Sequence, residues 1–458
     1  MPHRSLRSSP ALALLIVLTL ASCAGPAPSP EASPSPTTAP SRTPTEPATS
    51  TPTPAPTETP APTATPTEAP PAALPISPDT LAQLRPVWSI EEPGNPRAES
   101  GCQDVLCWMP TRLGGLAFSP DGATLAVGVC TVDPTENTTN PRHYRYTCDG
   151  PSEVRLYDAG SGDLAQSLTV GDFPLSLAFH PDGTHLAAGM AHRSIEIWDL
   201  AATDKVQTLL HSSTRTGVDG LAFSPDGEFL VSAGDSKLQL WQWARGLPAG
   251  VIENVTDFSM NPAGGSLATL FWSSDGSHTE ARVYPLDNPS AFRAFRLDWR
   301  NGPSHIRYAP DGSRLTAMSS YGLEVIDAAS GESLLRSEPE DLLQPMGQEG
   351  IISPFFAQSS DGRLLIQASV DDGSGIFASG PGLWDPMAKS ADVALLPYDA
   401  PGAESTLSWL LAWDVTAAVF DPTDLRLAIQ ETDGRLTVWA VDPDLSSEGV
   451  TCLGMCDS

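Results

Sequence analysis

Cysteine and histidine are the residues of this chain most able to do chemistry, and their positions set the first limits. Cys23 closes the run Leu20-Ala21-Ser22-Cys23, which matches a lipobox: small residues admit a signal peptidase, and the thiol takes a diacylglycerol. Arg4 and Arg7 precede it as a positive region, and Ala11–Leu20 is an apolar stretch of signal-peptide length, too short to span as a stable helix. Residues 1–22 therefore read as a lipoprotein signal peptide, with Cys23 as the lipid attachment point. The other six cysteines are an even number, as exported proteins use them in disulfides. Their spacing favours Cys102–Cys107, Cys130–Cys148 and Cys452–Cys456. None of these pairs has Cys-x-x-Cys spacing, so no metal site is expected. The eight histidines are scattered singly. The chain has no Gly-x-Ser-x-Gly elbow, no His-Glu-x-x-His and no Gly-x-x-x-x-Gly-Lys loop. No catalytic set emerges, no cofactor is called for, and a non-enzymatic role is expected.

Residues 23–77 continue from the lipid site as a Pro-, Thr-, Ala-, Ser- and Glu-rich stretch, a composition that cannot bury a core and reads as a disordered tether. At about 3.1 Å per residue its reach is on the order of 150 Å. Residues 1–77 hold three Arg and four Glu, which leaves 22 basic and 51 acidic groups, a net −29, in residues 78–458. A surface so negative repels phosphate backbones, so nucleic acid is not an expected partner.

The elements that must position anything functional come from a repeat. Gly220-Leu221-Ala222-Phe223-Ser224-Pro225-Asp226-Gly227 has a near twin at 115–122 and variants at 176–183, 305–312 and 355–362. Degraded copies stand at 257–264 and 417–424, and successive copies are 37 to 62 residues apart. The clearest copies place an apolar run before a Pro-Asp-Gly turn, then a second run, a second turn and an alternating third run such as Lys237-Leu238-Gln239-Leu240-Trp241. A weaker fourth run follows, seen best at Lys205–Leu210. Four antiparallel strands repeated at this period describe a propeller blade.

The third runs end in Trp198-Asp199, Tyr157-Asp158, Ile326-Asp327 and Trp384-Asp385, with Trp439 at the same place in the last copy. In these residues the chain resembles the WD40-repeat family over roughly residues 85–443; a looser TolB-like propeller gives the same fold class. The resemblance implies an all-β, seven-bladed β-propeller of four-stranded antiparallel blades, spanning residues 78–443, with residues 444–458 as a tail. The family's Gly-His dipeptide is missing from every copy, and His211 only approaches its place. Asp235 and Asp433 keep the Asp of that family's buried network, and Trp241 and Trp439 its Trp. The last copy shows three strands only, so the unassigned segment 85–90 is expected to supply its outer strand and close the ring.

In such a propeller the loops joining outer to inner strands and second to third strands share one face, the top. The long segments 91–113, 130–152, 370–382 and 398–414 all map there, over blades 6, 7 and 1. Trp108, Trp409 and Trp413 in these segments are the expected partner-binding residues, since Trp anchors binding surfaces. Trp198, Trp241, Trp384 and Trp439 sit at blade positions and are expected in the core. The function expected is a membrane-anchored, extracytoplasmic scaffold that binds a protein or glycan at the cell surface. The alternatives are a propeller-type hydrolase, lactonase-like or sugar-processing, and a structural part of an envelope assembly complex.

Overall fold

The computed structural model describes residues 73–77, 80, 83–91, 113–130, 134–136, 146–148, 151–213, 216–273, 278–297, 305–319, 322–337, 350–371, 377–384, 394–395, 415–431 and 434–443. The chain is all-β and forms a β-propeller. Seven four-stranded antiparallel sheets follow the seven copies of the repeat. Sheet 1, from the inside outwards, is Leu113–Phe118, Thr124–Cys130, Ser152–Asp158 and Leu164–Val170. Sheets 2 to 6 begin with inner strands at Pro174, Gly220, Val255, His305 and Gly350. Sheet 7 takes three strands from Val415–Phe420, Arg426–Glu431 and Arg435–Val441, and its outer strand is Leu84–Glu91. That N-terminal strand pairs antiparallel from Leu84↔Val441 to Glu91↔Arg435, where the sequence places it.

The Pro-Asp-Gly turn explains itself at atomic level. In sheet 3, Asp226 accepts from the Ser224 hydroxyl and from Glu228 N at 3.0 Å, while Ser224 Oγ accepts from Phe229 N at 2.9 Å. Gly227 closes the turn at φ +74°, which suits a residue without Cβ. The degraded copies reach the same shape by other chemistry. Asn261 accepts from Ala263 N at 2.9 Å, and Asp421 accepts from Thr423 N and Leu425 N at 2.9 and 3.0 Å. Asp424 there takes the glycine's place at φ +57°. Where an Asp ends a third strand it caps the next turn: Asp158 accepts from Gly160 N and Ser161 N, and Asp199 from Ala201 N and Ala202 N. An Asp there satisfies backbone donors that a tight turn leaves open.

The core lies between sheets. Leu168, Leu186 and Trp198 join sheets 1 and 2; Ile197, Phe223 and Trp241 join sheets 2 and 3. Leu240 and Tyr284 join sheets 3 and 4, and Leu270 and Tyr308 join 4 and 5. Ala357 of sheet 6 packs with Phe420 and Leu427 of sheet 7. Sheet 7 then meets sheet 1 through Leu436 and Val438 against Leu125 and Val127. Trp88 of the N-terminal strand reinforces that junction, donating to Ala159 O at 3.0 Å beside Tyr157. Trp198 and Trp241 are buried as expected and Trp439 is partly buried; the Trp384 side chain lies outside the described residues.

Two expectations change. Ile76 is buried among Leu84, Phe420 and Leu427 and donates its N–H to Asp424 O at 2.7 Å, so the packed chain starts upstream of residue 78. His211, expected only to approach the family position, is buried; its Nδ1 accepts from Ser213 N at 3.0 Å, and the Ser232 hydroxyl accepts from Trp241 Nε1 at 2.9 Å. Burial pulls the His211 pKa down, against the Ser232 backbone and the Asp235 charge. Finally, residues 370–382 are not a long insertion. Leu364–Asp371 and Phe377–Trp384 pair as a hairpin through Asp371↔Phe377, so that connection is only 372–376.

Candidate interaction face

Every inner strand starts at the same end of the propeller, and every second strand ends there, as Leu113↔Val129 and Cys130↔Ser152 show for sheet 1. The connections 92–112, 131–151, 338–349 and 396–414 therefore leave and re-enter at this top face. The first three of these flank or interrupt sheets 6 and 1, and the last leads into sheet 7. Within the second, Pro134–Glu136 and Tyr146–Cys148 form a two-stranded hairpin. Cys130 lies at its root, fully buried against Phe173 and Ala191, and is disulfide-bonded. Cys148 ends the hairpin, where the expected pairing puts its partner. Cys23, Cys102, Cys107, Cys452, Cys456, Trp108, Trp409 and Trp413 lie outside the described residues.

Charged groups crowd the same face over sheets 2 to 5. Asp172 pairs with His192 across the entry to sheet 2. Lower on sheet 2, buried Glu196 accepts from Lys205 Nζ at 2.9 Å. In sheet 4, Glu280 holds His278 at 3.1 Å and Arg282 at 2.7 Å, while the Arg282 guanidinium lies 3.3 Å from the centre of the Phe271 ring.

Asp257 in the inner strand of sheet 4 joins sheet 5. Its Oδ2 accepts from Ile306 N at 2.9 Å and from Arg307 at 2.7 Å, with His305 Nδ1 at 3.5 Å. Burial pushes its pKa up, but Arg307, His305 and the Ile306 N–H together hold it below the usual carboxylate range. Asp219, just before the inner strand of sheet 3, behaves in the opposite way. It keeps an exposed surface, yet the protein around it and the charge of Asp257 push its pKa up to about 6. A carboxyl raised in the folded state favours folding below 3.8, and that contribution is lost as pH rises through about 6. Asp219→Asn removes the loss. Two pKa units would be worth ~3 kcal/mol at full strength, and exposure screens this to about 1 kcal/mol. Asp219→Asn should thus unfold at higher urea than the parent at pH 7 and match it below pH 3.8. An equal difference at both pH values would refute the assignment.

The sequence reading passed over Asp219, Asp257, His305 and Arg307. Their signal was a charge within an otherwise apolar innermost run, as in Val255-Thr256-Asp257-Phe258 and His305-Ile306-Arg307-Tyr308. On the opposite face His180, Asp182 and His185 converge. No helix among the described residues is long and apolar enough to cross a membrane.

The WD domain, G-beta repeat (WD40) family model matches residues 166–199 and 204–242. Each match starts in the outer strand of one sheet and runs through the inner three strands of the next. The same stagger leaves the last copy without an outer strand of its own. Among curated proteins, the chain is 34% identical over 87 residues to WD repeat-containing protein 26 homolog of Arabidopsis thaliana, covering 19% of this chain and 14% of the relative. It is 29% identical over 222 residues to Periodic tryptophan protein 2 homolog of Schizosaccharomyces pombe, covering 44% and 25%. It is 24% identical over 154 residues to THO complex subunit 3 of Arabidopsis thaliana, covering 32% and 39%. The matches thus span well under half of each relative's length. Repeat sequence, turn chemistry and sheet order agree: the chain forms a β-propeller that carries WD40 repeats.

Proposed function

We propose that this propeller is a non-enzymatic scaffold that binds a protein partner through its top face, held outside the cytoplasm by a lipid on Cys23. The observation that carries the binding role is the gathering of the long connections 92–112, 131–151, 338–349 and 396–414 at one face of an otherwise regular propeller. Long connections in a compact fold are commonly functional. The fold supports the reading, and one relative is named as a subunit of a complex. Strand direction supports the orientation: Leu84–Glu91 runs from the bottom face to the top, so the chain upstream enters at the bottom and a tether there would leave the top turned away from a membrane.

The anchor is tested by fractionation. In a host that processes lipoproteins, the parent chain should sediment with membranes and take up labelled fatty acid. Cys23→Ala should lose the label and shift to the soluble fraction. Membrane retention unchanged by the substitution would overturn the lipid anchor while leaving the binding face untouched.

A further inference from the structure

The bottom face of sheets 2 and 3 carries a cluster separate from the top-face charges. His180 follows the inner strand of sheet 2, Asp182 belongs to its Pro-Asp-Gly turn, and His185 opens the next strand. One ligand atom from each lies within 4.8 Å of the other two. Both imidazoles are half-buried and Asp182 is exposed, so the cluster opens to solvent on one side.

Proton accounting makes the cluster informative. His180 Nε2 lies 3.1 Å from Gly227 O, a group that only accepts, so this nitrogen carries hydrogen. His180 Nδ1 lies 2.7 Å from Asp182 Oδ1. In the neutral ring Nδ1 then bears a lone pair, and two acceptors face each other at hydrogen-bond distance. A cation between them, either a metal ion or the second proton of an imidazolium, satisfies both. The Asp182 N–H also donates to Nδ1, at 3.4 Å.

The neighbouring hydroxyl extends the argument. Thr184 Oγ1 donates to Asp182 Oδ1 at 2.7 Å. Its proton spent, that hydroxyl can only accept from His185 Nδ1, also at 2.7 Å. His185 Nδ1 therefore carries hydrogen, and its Nε2 keeps a lone pair. Gly227 O and Thr184 thus fix tautomers that leave one basic nitrogen on each ring, the arrangement outer partners impose on metal-ligating imidazoles. The His180 ring is held in place by Phe223 and Trp243, with centroids 5.1 and 5.3 Å away.

We propose that His180, Asp182 and His185 bind a divalent transition metal, with zinc the ion best suited to two imidazoles and a carboxylate, and water completing its shell. Because His180 is tied to Gly227 and Trp243 of sheet 3, the ion also fastens sheet 2 to sheet 3 on this face.

The test uses the full chain, stripped by chelator and titrated with zinc. One equivalent should bind beyond whatever the double variant His180→Gln/His185→Gln retains. Cobalt in its place should give visible absorption bands that the double variant lacks. Asp182→Asn should weaken binding at least tenfold, and Thr184→Val, which removes only the orienting hydroxyl, by roughly tenfold or more. If circular dichroism shows the double variant unfolded, His185→Ala alone carries the comparison. Equal zinc uptake by parent and variant would overturn the site. So would the absence of zinc uptake by the parent chain.

Discussion

Deleting residues 84–91 should abolish cooperative folding of the propeller. The strand supplies the outer edge of sheet 7, and without it Arg435–Val441 is left as an unpaired edge. Leu84 is 1% exposed within the sheet 7 core, and truncating such a side chain costs about 2–5 kcal/mol. Trp88 crosses to sheet 1, where it bonds Ala159 O and covers Gly162, whose added Cβ would stand 2.7 Å from the indole. Its removal costs about 3 kcal/mol by the same reasoning. Together these losses rival the ~5–15 kcal/mol that keeps a typical domain folded. Urea unfolding followed by Trp fluorescence should show a broad or absent transition for the deletion, and lowered midpoints for Leu84→Ala and Trp88→Ala. A deletion variant with the parental midpoint would show that the N-terminal strand is dispensable.

Asp257→Ala should be the most damaging single change among the charged residues of the top face. It leaves the Arg307 guanidinium and the Ile306 N–H without the carboxylate that joins sheets 4 and 5. Breaking a buried pair costs ~3–5 kcal/mol; both side chains here keep some solvent contact, which brings the expectation to about 3 kcal/mol. The double variant Asp257→Ala/Arg307→Ala should lose less than the sum of the singles, because no unpaired charge remains. The acid limb gives an independent check. A carboxyl whose folded pKa is depressed stabilises above its ordinary value of 3.8, and that stabilisation is lost as pH falls below it. The parent should therefore weaken more than Asp257→Ala on acidification below pH 3.8. Parallel pH profiles would contradict the assignment.

What could be read from the residues alone was whatever is local. Turn chemistry at Ser224-Pro225-Asp226-Gly227 and alternation at Lys237–Trp241 determine their own conformations, so the repeat announced its strands. Leu84–Glu91 was legible because the last copy lacked a strand and this segment had no other place. Contacts between sheets were not legible. Asp257 meets Arg307 fifty residues away, and His180 meets Gly227 forty-seven residues away; neither spacing has a sequence signature. Residues 370–382 misled for a local reason: Gly373-Ser374-Gly375 resembles a loop, and only the pairing Asp371↔Phe377 shows how tight the connection is.

The scaffold role rests on the top face as a protein-binding surface. The direct measurement is the affinity of the full chain for a captured partner, compared across variants of the two faces. Trp108→Ala/Trp409→Ala/Trp413→Ala should weaken binding about thirtyfold or more, since an anchoring Trp is typically worth ~2 kcal/mol. Asp204→Ala, an exposed change at the bottom of sheet 2, should leave the affinity unchanged. A partner that binds the Trp variant as tightly as the parent, or that is lost with Asp204→Ala, would contradict the account.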